Sequence, residues 1–115
     1  MTRRALVIDD DEDLAEILGE FLRILGWQPD VCSDPSEGST RAVSGDYAVI
    51  LCDKNMPHHS GMQIAAAVQA DAPGTRVVLC TGELADPNLV AEARTVGAEV
   101  IQKPLTFEGL DALLG

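Results

Sequence analysis

Positive charge is scarce in this chain: eight Lys and Arg stand against nineteen Asp and Glu, giving a formal charge of −11. That shortage argues against direct nucleic-acid binding, because phosphate contacts need Lys and Arg. Long apolar runs are missing as well. No stretch approaches the ~18 residues that a membrane span requires, and nothing after Met1-Thr2-Arg3-Arg4 has the pattern of a signal peptide. No membrane association and a cytoplasmic location are therefore expected. Cysteine is sparse and odd in number; three residues without a close-spaced pair make neither a disulfide framework nor a zinc site. There is no internal repeat, low-complexity tract or linker. What remains is 115 residues, enough for one domain with a single core. Its acid excess suits a metal cation or a basic partner surface, although an acidic face is commonly only a solvated one.

The most informative stretch is Val49-Ile50-Leu51-Cys52-Asp53, followed by Lys54-Asn55-Met56-Pro57. An apolar run of this length, bounded by a turn signal, reads as a buried strand of a parallel sheet. Ligands of such sheets bind beyond the carboxyl ends of the strands. Asp53 would stand there as a nucleophile or metal ligand, unless it merely caps the loop.

Other segments repeat the pattern. Ala5-Leu6-Val7-Ile8 is a strand ending on Asp9-Asp10-Asp11. Leu14, Ile17, Leu18, Phe21, Leu22 and Leu25 recur at helical steps on one face, with Gly26 as the stop. Asp11, Glu12 and Asp13 suit the positive end of that helix, whereas Asp9 and Asp10 lie before it. Gln28 to Cys32 is an edge strand, because Pro29 cannot donate to a central ladder. Asp34-Pro35 opens a second helix running to about Val43, Gly61 to Ala70 is a third, and Asp86-Pro87 opens a fourth that Gly97 closes. Arg76 to Cys80 is a strand ending on Thr81-Gly82, and Val100 to Gln102 one ending on Lys103-Pro104. Thr106 caps a last helix of barely two turns. Cys52 and Cys80, each one residue before a strand's end, read as buried small apolar residues. Trp27 and Phe21 read as packing, and His58 and His59 as exposed loop residues. Strands alternating with helices in this way give a parallel α/β sheet with helices on both faces.

Four strand ends would thus bring Asp9, Asp10, Asp53, Thr81 and Lys103 to one crevice. Three carboxylates so close repel, and at least one should titrate above its ordinary range unless a cation sits among them. An oxygen-rich site with open positions suits Mg²⁺, and Lys103 and Thr81 are of the kind that meets phosphoryl oxygens.

The set Asp9-Asp10, Asp53-x-Asn55-Met56-Pro57-x-x-x-Gly61, Thr81-Gly82 and Lys103-Pro104 resembles the receiver domain of two-component response regulators, over the whole of residues 1–115. The resemblance implies a flavodoxin-like, doubly wound five-stranded parallel sheet of order 2-1-3-4-5, an order known for this family. It implies that Asp53 accepts a phosphoryl group from the phosphohistidine of a histidine kinase or a histidine phosphotransfer protein. Asp10, Asp53 and the main-chain carbonyl of Asn55 would hold Mg²⁺, or Mn²⁺ as a substitute, with Asp9 helping mainly through water. Thr81, the Gly82 amide and Lys103 would meet the phosphoryl oxygens, and the Lys103-Pro104 bond would be cis. Asn55 and Glu83 lie where the family tunes dephosphorylation. Such a domain catalyses its own phosphorylation and slow dephosphorylation without being a conventional enzyme. A downstream partner or output domain would read the change, with a homodimer through the fourth helix, fifth strand and fifth helix as a further expectation. One position departs from the pattern: many receivers carry an aromatic three residues before the lysine, where this chain has Val100.

Two rivals share some of these residues. A haloacid-dehalogenase-type phosphatase would use Asp9-x-Asp11, but its motif wants Thr or Val where Asp13 stands, and the chain is short for that family. A degenerate receiver, serving as a phosphorylation-independent binding module, would not need the full set of site residues.

Overall fold

The computed structural model describes residues 3–82 and 87–114. Five parallel strands form the sheet: β1 (Arg4–Ile8), β2 (Gln28–Cys32), β3 (Val49–Asp53), β6 (Arg76–Thr81) and β7 (Ala98–Gln102). Their spatial order is β2-β1-β3-β6-β7. Counting only these five along the chain, it is the expected 2-1-3-4-5, with the Pro29 strand at one edge. Two further strands, β4 (Asn55–Met56) and β5 (His59–Ser60), make a small antiparallel hairpin where the sequence indicated only a loop. Pro57 and His58 form its turn, and His58 adopts φ 60°, a conformation few non-glycine residues take.

Helices α1 (Glu12–Ile24), α2 (Pro35–Ala42), α3 (Gly61–Asp71) and α4 (Pro87–Thr95) fill the four crossovers, and α5 (Phe107–Leu114) follows β7. Their ends follow from local chemistry. The Asp11 carboxylate accepts the Leu14 N–H, the Asp34 carboxylate the Ser36 N–H and the Ser60 hydroxyl the Met62 N–H, each satisfying an orphan donor of a first turn. Gly26, at φ +90°, ends α1 with its own N–H bonded to the Arg23 carbonyl and that of Trp27 to the Leu22 carbonyl. The Asp86 cap foreseen for α4, and Glu83, lie outside the described residues.

The alternating faces of the central strands build two apolar layers. Leu6, Ile8, Ile50, Cys52 and Leu79 pack with α2 and α3 residues on one side, and Val7, Val49, Leu51, Val78 and Cys80 with Leu18, Leu22 and Leu110 on the other. Cys52 and Cys80 are buried free thiols; burial pushes the Cys80 thiol up to about 12 and raises that of Cys52 as well. Phe21 meets Phe107 edge to face at 5.7 Å, and the Arg3 guanidinium lies over Trp27, so both aromatics pack. At the amino end of the sheet, Asp30 accepts from Arg4 (2.9 Å) and the Tyr47 hydroxyl (2.7 Å), tying β1, β2 and the start of β3 together.

One residue of the apolar helical face is placed differently from the sequence reading. Ile17 is 48% exposed, and Ile24 is 70% exposed, while Ala15, Leu18, Gly19 and Leu22 are buried. The sheet covers a narrower arc of α1 than the apolar residues occupy, centred on Ala15, Leu18, Gly19 and Leu22, where Gly19 lets the helix backbone approach Val31. Leu18→Ala should therefore cost about 2–5 kcal/mol, and Ile17→Ala less than ~1 kcal/mol. Urea unfolding of the two variants checks this; equal losses would mean the helix is rotated from the described phase.

Candidate functional site

Ladder hydrogen bonds that run one step past the strand ends place the site residues. The Asp9 N–H donates to the Cys32 carbonyl (3.1 Å), the Lys54 N–H to the Cys80 carbonyl (3.0 Å) and the Lys103 N–H to the Thr81 carbonyl (2.8 Å). The sheet thus fixes the backbone on which Asp9, Asp53 and Lys103 stand. One carboxylate oxygen from each of Asp9, Asp10 and Asp53 lies within 4.8 Å of the others. Asp9 is buried, Asp53 half-buried and Asp10 exposed, so the cluster opens to solvent on one side.

Lys103 sits among them. Its Nζ is 3.3 Å from Asp9 Oδ2 and 3.2 Å from Asp53 Oδ1. Asp9 Oδ1 accepts the Asp11 N–H at 2.9 Å, and Asp53 Oδ1 also accepts the Asn55 N–H at 3.4 Å. Burial opposes the charge on Lys103, but Asp9 and Asp53 outweigh it and the ammonium titrates above its ordinary value. Asp53 is raised too. The first cause is burial, against which Lys103 pulls down, and the repulsion of Asp9 is a smaller contribution. The direction matches the expectation from crowded carboxylates, but the main cause does not: mutual repulsion is offset by the lysine, and desolvation remains.

Thr81 is buried at the end of β6, and exposed Gly82 follows it. The Lys103-Pro104 peptide bond is cis. Val100, half-buried on β7, pairs with Leu79 and packs against the layer that contains Ile50 and Leu79. His58 is exposed and His59 half-buried, both in the hairpin and outside the carboxylate cluster. The sequence reading missed the hairpin that follows Asp53, though Pro57 before His58 was the available turn signal.

With this geometry in view, comparison with known proteins decides the family. The model of the response regulator receiver domain matches residues 5–114. This chain belongs to that family. Receiver domains are signalling domains of two-component systems rather than conventional enzymes, and they bind Mg²⁺ at an acidic pocket. The acidic cluster here offers the oxygen donors that ion prefers. A response regulator receiver protein of Anaeromyxobacter is 30% identical over 103 residues, 90% of this chain and 43% of its own length. The chain spans less than half the length of the curated relatives compared with it, which include a probable transcriptional regulatory protein of Mycobacterium tuberculosis. The chemotaxis protein CheY4 of Vibrio cholerae superposes with a TM-score of 0.88 at 26% identity, covering 99% of this chain and 97% of that one. A response regulator of Burkholderia pseudomallei, solved with a phosphorylated aspartic acid, a calcium ion and citrate, has a TM-score of 0.86 at 26% identity, covering 98% and 66%. No helix among the described residues is long and apolar enough to cross a membrane.

The raised Asp53 carboxyl carries a prediction about this receiver. A group that holds its proton more tightly folded than unfolded lowers stability as pH rises from the unfolded value, about 3.9, through the folded one, and the deficit persists at neutral pH. Metal-free Asp53→Asn should thus melt above wild type at pH 7, and the gap should close as pH falls toward about 4. Thermal unfolding across that range checks it; a variant that melts lower than wild type at pH 7 would contradict the sign.

Proposed function

We propose that this receiver is a phosphorylation switch in which Asp53 takes a phosphoryl group from the phosphohistidine of a histidine kinase or a histidine phosphotransfer protein. The observation that carries this reading is the convergence of Asp9, Asp10 and Asp53 within 4.8 Å, with Lys103 in contact with two of them. The aspartyl phosphate of the Burkholderia relative supports it by analogy.

In this reading an Asp53 carboxylate oxygen forms a bond to phosphorus as the bond from phosphorus to the imidazole nitrogen breaks. The bonding pair stays with the imidazole, which takes up a proton. Asp10, Asp53 and the main-chain carbonyl of Asn55 hold Mg²⁺, or Mn²⁺ in its place, with Asp9 acting mainly through water. When bound, the ion supplies positive charge against the phosphoryl oxygens. Lys103 exchanges its contact with Asp53 for a phosphoryl oxygen, so one ammonium balances the site before and after transfer. The Thr81 hydroxyl and the Gly82 amide meet the remaining oxygens, and Thr81, buried at the end of β6, relays the change toward α4. Val100 lacks the aromatic that moves with this threonine in many relatives, so the response is greater at Thr81 and α4 than along β7. A downstream partner or output domain, or a second copy through the α4-β7-α5 face, reads the altered surface. A cytoplasmic location accompanies this role.

Acetyl phosphate with Mg²⁺ should add one base-labile phosphoryl group, detected by intact mass, and Asp53→Asn should abolish it. A label that survives in the variant, or maps to His58 or His59, would refute the assignment. Mg²⁺ should also raise wild-type stability by mass action, by about 2.7 kcal/mol at a hundred times its dissociation constant, with a smaller gain in Asp10→Asn. A midpoint indifferent to Mg²⁺ would contradict the metal site.

A further inference from the structure

The hairpin that follows Asp53 leads directly into a glycine whose absence of a side chain has a local purpose. Gly61 opens α3, and its φ is not in the left-handed region that favours glycine, unlike that of Gly26, Gly45 and Gly97. Backbone conformation therefore leaves the position open to any residue, and helix propensity would prefer Ala. Space decides otherwise. A Cβ on Gly61 would lie 2.7 Å from the Asp53 carbonyl oxygen, 2.9 Å from Lys54 Cα and 2.9 Å from Leu79 Cδ2. Two of these three atoms are backbone of the segment that runs from Asp53 to Asn55.

That segment has little freedom to retreat. The Lys54 N–H is bonded to the Cys80 carbonyl (3.0 Å), and the Lys54 carbonyl accepts the Gly61 N–H (2.8 Å). Asn55 pairs with Ser60 across the hairpin, and Met56 is buried beneath it. Leu79 is fully buried. On the α3 side, the Ser60 hydroxyl caps the helix through the Met62 N–H. A methyl group would have to displace either the Asp53–Lys54 backbone or the start of the helix.

We infer that Gly61 is a positioning residue of the Asp53 site: its missing Cβ lets the start of α3 brace the Asp53–Asn55 backbone in the place that metal binding requires. The inference rests on the reading of Asp53 and Asn55 as Mg²⁺ ligands given above. Mg²⁺ tolerates little departure from octahedral geometry, so a shift of a few tenths of an ångström in two ligands weakens binding without unfolding the sheet.

The test is calorimetric titration of Mg²⁺ into wild type, Gly61→Ala and the double variant Gly61→Ala/Leu79→Val, with thermal unfolding of each. Leu79→Val removes the side-chain clash and leaves both backbone clashes, and it carries the test should Gly61→Ala alone fail to fold. Both variants should bind Mg²⁺ with a dissociation constant raised about tenfold or more, as loss of a supporting contact around a metal ligand commonly does. Wild-type affinity in Gly61→Ala, or its recovery in the double variant, would show that the glycine serves core packing only and overturn the inference. A wild-type protein that takes up no Mg²⁺ would instead overturn the functional reading on which it stands.

Discussion

The structure depends on one charge balance. The sheet brings Asp9 and Asp53 to adjacent strand ends and Asp10 beside them, in a protein already at −11. Lys103, delivered by the last strand, contacts two of the three. Its ammonium is held charged by Asp9 and Asp53 against the cost of burial, while burial raises Asp53 itself. The ladder bonds that extend β1, β3 and β7 past their ends hold the charges in place. Everything below them, two apolar layers on a parallel sheet, is the support for that arrangement.

Lys103 touches two of the three carboxylates, and on the proposed reading the cluster would still accept further positive charge. A divalent cation would supply that charge. In the proposed switch, a phosphoryl group on Asp53 would take over the contact that Lys103 now makes with that carboxylate, while Asp9 remains its other anionic neighbour. On the proposed reading, the metal-free, metal-bound and phosphorylated states would therefore differ in which oxygens Lys103 meets. That difference would be the physical content of the proposed switch.

Much of this was legible in the sequence because the relevant signals are local. Apolar runs that stop on Asp9, Asp53, Thr81 and Lys103 gave the strand ends, and cap residues such as Asp11 and Asp34 gave helix starts. Strand order came from the family resemblance, since neither periodicity nor spacing says which strands are neighbours, and the proposed ligand roles rest on the same resemblance. Ile17 was misplaced because helical periodicity marks an apolar arc without saying how wide an arc the sheet covers. The hairpin at Asn55–Ser60 was missed because two-residue strands carry no alternation, and His58 takes a positive φ without being glycine. The reason for the raised Asp53 carboxyl was also misjudged: sequence gives the number of charges, whereas burial and the position of Lys103 exist only in the fold.

Paramagnetic broadening by Mn²⁺ tests most directly whether these carboxylates form one cation site. In ¹³C spectra of the side-chain carboxyl carbons, substoichiometric Mn²⁺ should broaden Asp9, Asp10 and Asp53 together, ahead of Glu12, Asp13 and Glu16 on α1. Broadening that begins on the helix acids, or that reaches Asp10 without Asp53, would mean that the cation sees only an acidic surface and that the strand ends do not make a site.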